Sequence, residues 1–168
     1  MAIGSSVQRA GTATHTFDLH GLYILLSEQN TPDTWHWGLY LHCGPNGWVY
    51  HITRVADGWF FDKHLSTNII YSLSMVAALK IAVIEHPETI EALGDRLTQV
   101  PLMETTRFRP LTCRTWLLRA VNDLDNEGFI SLKVGTTVEN LETEAEGKAV
   151  RAARNRIRTV DNSSLSLA

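Results

Sequence analysis

Trp35-His36-Trp37-Gly38-Leu39-Tyr40-Leu41-His42-Cys43-Gly44-Pro45-Asn46-Gly47-Trp48-Val49-Tyr50-His51-Ile52-Thr53-Arg54-Val55 is the stretch on which the fold turns. It is rich in aromatic and β-branched residues and is broken once, by Gly44-Pro45-Asn46-Gly47, so it reads as strands 35–42 and 48–55 joined by a turn. Working outward, 22–27 and 59–64 have the same character, set off by Asn30-Thr31-Pro32-Asp33 and by Asp57-Gly58. Together the four segments predict an antiparallel meander.

From Ser72 the spacing becomes helical. Met75, Val76, Leu79, Ala82 and Val83 form one apolar face that stops before Pro87, and a shorter helix is expected over 88–97. After a loop that ends at Pro110, a second stripe opens at Cys113, runs through Trp116, Leu117, Ala120, Val121 and Leu124, and stops at Gly128. The segment from Glu139 is acidic and then, from Lys148 to Arg158, basic; it suits a charged C-terminal helix resting on Ala149, Val150, Ala153 and Ile157. The expectation is therefore an α+β fold, with an antiparallel sheet of about four or more strands packed against helices. Residues 1–16 bury too little apolar surface to order themselves and read as a flexible arm, leaving 17–168 as a single catalytic domain. No segment repeats another.

Composition narrows the function classes. The 168 residues are 44% hydrophobic and 20% charged, enough for one core. A net charge of -3 gives no basic footprint for a nucleic-acid backbone. No run of apolar residues suits a signal peptide or a membrane anchor, so the expected compartment is the cytoplasm. With two cysteines only, Cys43 and Cys113, a disulfide framework is not expected, and each thiol is either core filler or a nucleophile.

Cys113 has the better position for chemistry. It opens a helix behind Thr112, a good N-cap, and free backbone N–H groups with the positive end of the helix dipole favour the thiolate. The same N–H groups suit an oxyanion. A thiolate needs a base, and His36 and His51 each stand within an apolar strand. Whether they meet depends on register: a turn centred near Cys43 and Gly44 sets them opposite one another. A turn centred on Pro45-Asn46 sets His51 opposite Tyr40, and a bulge between Gly44 and Gly47 reconciles the two. Trp35, Trp37 and Trp48, with Tyr40 and Arg114, are the expected substrate-binding residues; the three tryptophans are either core packing or an aromatic wall for a bulky apolar substrate.

The run His36-Trp37-Gly38-Leu39-Tyr40-Leu41, then Val49-Tyr50-His51, then Cys113 opening an apolar helix, resembles the lecithin retinol acyltransferase and phospholipase/acyltransferase group, a circularly permuted branch of the papain-like NlpC-type cysteine peptidases. The segment Phe108-Arg109-Pro110-Leu111-Thr112-Cys113-Arg114-Thr115-Trp116 also looks like that of small fungal proteins of the same superfamily. The resemblance implies a permuted papain-like fold, Cys113 as acyl-accepting nucleophile, His36 as general base and His51 as the group that orients it. The group's Asn-Cys-Glu-His-Phe pattern is replaced here by Thr112-Cys113-Arg114-Thr115-Trp116, and no apolar anchor follows, so a phospholipid substrate is not implied.

The expected function is a thiol hydrolase or acyltransferase acting on an ester, thioester or amide, with a small-molecule or acyl partner and no cofactor. The rival is a binding or cyclase/isomerase role in a biosynthetic pathway, with His36 as acid or base and Cys113 incidental. A metal site among His36, His42, Cys43, His51 and His64 is not expected, because His42 and Cys43 are adjacent and point to opposite faces of a strand. Sequence says nothing of the oligomeric state.

Overall fold

The computed structural model describes residues 16–168, so the expected arm over 1–16 falls, Thr16 apart, outside the described residues. Four antiparallel strands follow in order: β1 (Gly21–Glu28), β2 (Trp35–His42), β3 (Gly47–Val55) and β4 (Gly58–Ser66). The turns are those the sequence marks. Gly44, at φ +106°, closes the β2–β3 loop with a Cys43 N–H to Asn46 carbonyl bond of 2.9 Å, and Gly58 starts β4 at φ +137°.

The segment expected to be the first helix is a strand, β5 (Met75–Val83). Eight of its nine residues are buried, because it lies inside the sheet with β1 antiparallel on one side and β6 (Thr159–Asn162) parallel on the other. A strand covered on both faces loses its alternation, and its apolar positions then satisfy a helical period as well as a strand's. Lys80, buried in this setting, has its amine 2.7 Å from the Asp18 carboxylate. The sheet is thus six-stranded and mixed, in the order β4-β3-β2-β1-β5-β6.

Three helices complete an α+β fold: α1 (Pro87–Thr98), α2 (Cys113–Asn126) and α3 (Val138–Arg154). The buried stripe of α3 is Val138, Leu141, Ala145, Ala149 and Ala152, while Val150 and Ala153 are only partly buried and Ile157 is exposed beyond the helix end. Sequence analysis found Ala149 but missed the rest of the stripe and the short strand that follows it.

The helices share one core with one face of the sheet. Trp35, Trp37, Leu39 and Leu41 of β2 belong to it, with Tyr50 and Ile52 of β3 and Trp116, Leu117 and Val121 of α2. The alternate residues point the other way, as a strand's period of two requires. There a smaller cluster of Phe17, Tyr23, Leu25, Tyr40 and Val49 covers part of an outer face.

Candidate functional site

Cys113 is placed by a cap. Thr112 has extended backbone and its hydroxyl accepts the Thr115 N–H at 3.2 Å, while the Thr115 hydroxyl accepts the Thr112 N–H at 2.9 Å. This reciprocal box satisfies two of the four orphan donors of α2 and contributes about 1 kcal/mol. It leaves the N–H groups of Cys113 and Arg114 turned toward the Cys113 sulfur, joined there by the N–H of Trp37 from β2. Cys113 is 7% exposed. Burial raises its thiol above the ordinary cysteine value, outweighing the three N–H groups and the Arg114 charge, which pull the other way. The sequence reading of a thiolate favoured by the helix end is thus corrected: the resting form is the thiol, because desolvation is the largest influence.

The histidines meet, though neither of the simple registers holds. His42 pairs with Gly47 and Leu39 with Tyr50, so the hairpin carries a four-residue loop, Cys43 to Asn46, and His51 falls beside Gly38 rather than opposite His36 or Tyr40. His36 and His51 are then diagonal neighbours on the outer face. The Nε2 of His36 lies 2.6 Å from Nδ1 of His51, with the rings edge to face. Gly38 makes this approach possible: a Cβ there would lie 3.3 Å from both the Tyr50 carbonyl and the His51 Cβ. The β2–β3 ladder ends at Leu39 and Tyr50, while β1 pairs with β2 as far as Trp35 and β4 pairs with β3 as far as Val55.

The chain of contacts continues onto β4. Nε2 of His51 is 2.9 Å from Asp62 Oδ2, and the same oxygen is 2.6 Å from Nδ1 of His64. These hydrogen bonds, that to His64 first, hold the Asp62 carboxyl below the usual aspartate value, so it is an acceptor at neutral pH. An acceptor at Asp62 puts the His51 proton on Nε2. His51 Nδ1 then accepts, the His36 proton sits on Nε2, and the lone pair of His36 is on Nδ1. Burial, and then the neighbouring His51, push His36 down to about 4, which keeps its ring neutral.

Asp62 was missed in the sequence, and His64 was weighed there only as a metal ligand and set aside. The signal was available: a two-residue turn at Ala56-Asp57, between Val55 and Gly58, sets Asp62 directly opposite His51.

Cys113 approaches β2 from the helix face, and its sulfur stands by the backbone of Trp37, the residue after His36. Among the described residues no hydrogen bond joins Cys113 to His36 or His51. A cleft of about 320 Å³ opens beside the thiol, lined by Trp35, Trp37, Trp59, Cys113, Arg114 and Glu146. Arg114 lies 5.3 Å over the Trp37 ring and is held by Glu142 and by Glu146 at 3.1 Å. Trp35, Trp37 and Arg114, three of the expected substrate-binding residues, therefore line the cleft beside Cys113. Trp48 and Tyr40 do not. Trp48 is near the far end of β3, opposite Leu41, with Lys63 at 4.8 Å from its ring. Tyr40 is buried in the outer cluster, its hydroxyl 2.9 Å from His42 Nδ1. Cys43 and Cys113 are both free thiols, and no helix among the described residues is long and apolar enough to cross a membrane.

Comparison of the chain with protein-family models, with curated proteins and with solved structures gives no match.

Proposed function

We propose that the protein is a cysteine-dependent hydrolase or acyltransferase in which Cys113 attacks an ester, thioester or amide carbonyl and His36 is the base. The observation that carries this reading is the Asp62–His51–His36 chain, with links of 2.9 and 2.6 Å, ending one residue from the backbone N–H that faces the Cys113 sulfur. His51 occupies Nε2 of His36 and so leaves Nδ1, the nitrogen with the lone pair, for the thiol. His36 leaves the outer face of β2 and Cys113 stands on the helix face, so this transfer requires the His36 ring to swing through the opening where the β2–β3 ladder has ended, beyond Leu39 and Tyr50, to carry Nδ1 to the S–H proton. As that proton leaves, sulfur bonds to the carbonyl carbon and the oxyanion forms next to the N–H groups of Cys113 and Arg114. Collapse expels the leaving group, which takes the proton from His36, and the acyl-enzyme passes to water or an amine. A neutral thiol and a neutral imidazole at rest fit a base that acts during attack rather than a preformed ion pair.

The cleft limits the substrate. At about 320 Å³ it lies at the lower end of ligand-pocket sizes, suited to a short or compact acyl group against three tryptophans. A permuted papain-like relationship is part of this proposal and rests on the resemblance described above.

One observation favours a second reading. The thiol is raised and makes no hydrogen bond to His36, which suits proton transfer to a bound small molecule by His36 alone, in a cyclase or isomerase, with Cys113 a lining residue. Turnover of a panel of small thioesters, esters and amides, followed in wild type, Cys113→Ala and His36→Ala, separates the two. Acyl-enzyme mass on Cys113 and loss of turnover in both variants are expected. Full turnover in Cys113→Ala overturns the covalent mechanism.

A further inference from the structure

We infer that His51, Asp62 and His64 form a binding site for a divalent zinc-type cation, and that the cation switches the His36 base off. Three ligand atoms converge on the outer face: His51 Nε2, Asp62 Oδ2 and His64 Nδ1 all lie within 4.8 Å of one another. They come from rigid elements. His51 and Asp62 are directly opposite in the β3–β4 ladder, and His64 is two residues along β4 on the same face, its ring 5.7 Å from that of His51. Both imidazole edges address a single carboxylate oxygen, at 2.9 and 2.6 Å.

Zinc at about 2.0–2.1 Å from each ligand sets tetrahedral ligand atoms roughly 3.3 Å apart. The two nitrogen–oxygen distances need only to open by less than about 1 Å, and the histidines to close on one another, which side-chain rotation supplies. Two imidazoles and one carboxylate select a borderline first-row ion over magnesium or calcium, which take oxygen. Asp62 and His64, with side chains 45% and 49% exposed, give the ion its way in and leave the fourth position to water.

The consequence for the base follows from proton positions and rests on the function proposed above. Without metal, His51 carries its proton on Nε2 and His36 on Nε2. Metal takes the lone pair of His51 Nε2, so the His51 proton must sit on Nδ1, where it donates to His36 Nε2. The His36 proton is then on Nδ1, the nitrogen that would have accepted from Cys113. Each neutral ring keeps one proton, so only positions change: the His36 Nε2 proton crosses to His51, the His51 Nε2 proton leaves to solvent, and His36 Nδ1 takes one up. His51 thus becomes both ligand and switch, with His36 as its outer partner.

The test is calorimetric titration of the full chain with zinc chloride, in wild type, His64→Ala and Asp62→Asn, with long-range nitrogen-15 spectra of the imidazoles. His64 is half exposed, so its truncation leaves the fold intact. One equivalent should bind wild type, each substitution should weaken binding about tenfold or more, and His51 should change from the Nε2–H to the Nδ1–H form. Iodoacetamide labelling of Cys113 should slow with zinc in wild type and not in His64→Ala, which separates this site from zinc on the thiol itself. No binding, or affinity the same in all three proteins, overturns the site and leaves the thiol mechanism standing. Binding as expected with Cys113 labelling unaffected overturns the switch alone, since the thiol mechanism is decided by turnover in Cys113→Ala and His36→Ala.

Discussion

The two faces of β2 differ in everything but their backbone. Trp35, Trp37, Leu39 and Leu41 enter the core beneath the helices, and none is more than 7% exposed. Between them His36, Gly38, Tyr40 and His42 leave on the outer face, two of them bonded through a ring nitrogen to a side chain on another strand or two residues along their own. One face is held by area removed from water and tolerates little change in volume. The other is held by a few directional bonds, each modest in net stability but decisive for where a proton sits. Stability and chemistry are thereby separable one residue at a time.

The largest expected effect is on the core face. Trp37→Ala removes a side chain that is 1% exposed and that carries Arg114 on its ring, and it should lower stability by about 3–5 kcal/mol, read from denaturant midpoints. A loss under about 1 kcal/mol would mean that this face is not the structural one. His36→Ala should do the reverse, lowering turnover of a responsive acyl substrate by about 100-fold or more while the midpoint moves little. Equal losses in both properties would erase the contrast.

Gly38→Ala bears on the seam between the faces. A methyl at 3.3 Å from the Tyr50 carbonyl must push β3 away by a few tenths of an ångström, so the His36–His51 bond should lengthen and the ring tautomers mix, visible in the same nitrogen-15 spectra. An unchanged His51 spectrum would show that the contact does not depend on strand spacing.

The resting thiol gives a pH expectation with a definite sign. Because burial raises Cys113, its rate of iodoacetamide labelling in the free protein should climb toward alkaline pH with a midpoint above the free-thiol value of about 8.5. Fast labelling with a midpoint near 6 would instead mean a preformed ion pair.

The smallest effect is a control away from β2. Arg107 holds Glu139 at 2.7 Å and lowers it to about 2. A carboxylate depressed on folding contributes stability above its unfolded value of 4.5, and loses that contribution as pH falls toward 2. Glu139 is 46% exposed, so solvent screens the pair and Glu139→Gln should cost under about 1 kcal/mol at pH 7 and nothing near pH 2. A constant difference across that range would place its origin elsewhere.

Local sequence determined four of the six strands, α1 and the two long helices, because turn residues and caps act over three or four positions and leave their marks in order along the chain. Thr112 and the stripe from Trp116 to Leu124 fixed the start of α2 and placed Cys113 at it. Alternation in β2 separated His36 from its tryptophan neighbours. Tertiary structure decided the rest. Met75–Val83 became a strand only because β1 and β6 cover its two edges, a circumstance 76 positions from Val83 to Thr159 cannot announce. The register of the β2–β3 loop, and with it the contact of His36 with His51, was one of several that the same turn residues allow. Asp62 and His64 joined them through cross-strand pairing, and the protonation of Cys113 followed from how deeply α2 buries it. Local patterns report conformational preference. Proton positions and thiol character depend on the low-dielectric neighbourhood that distant segments assemble.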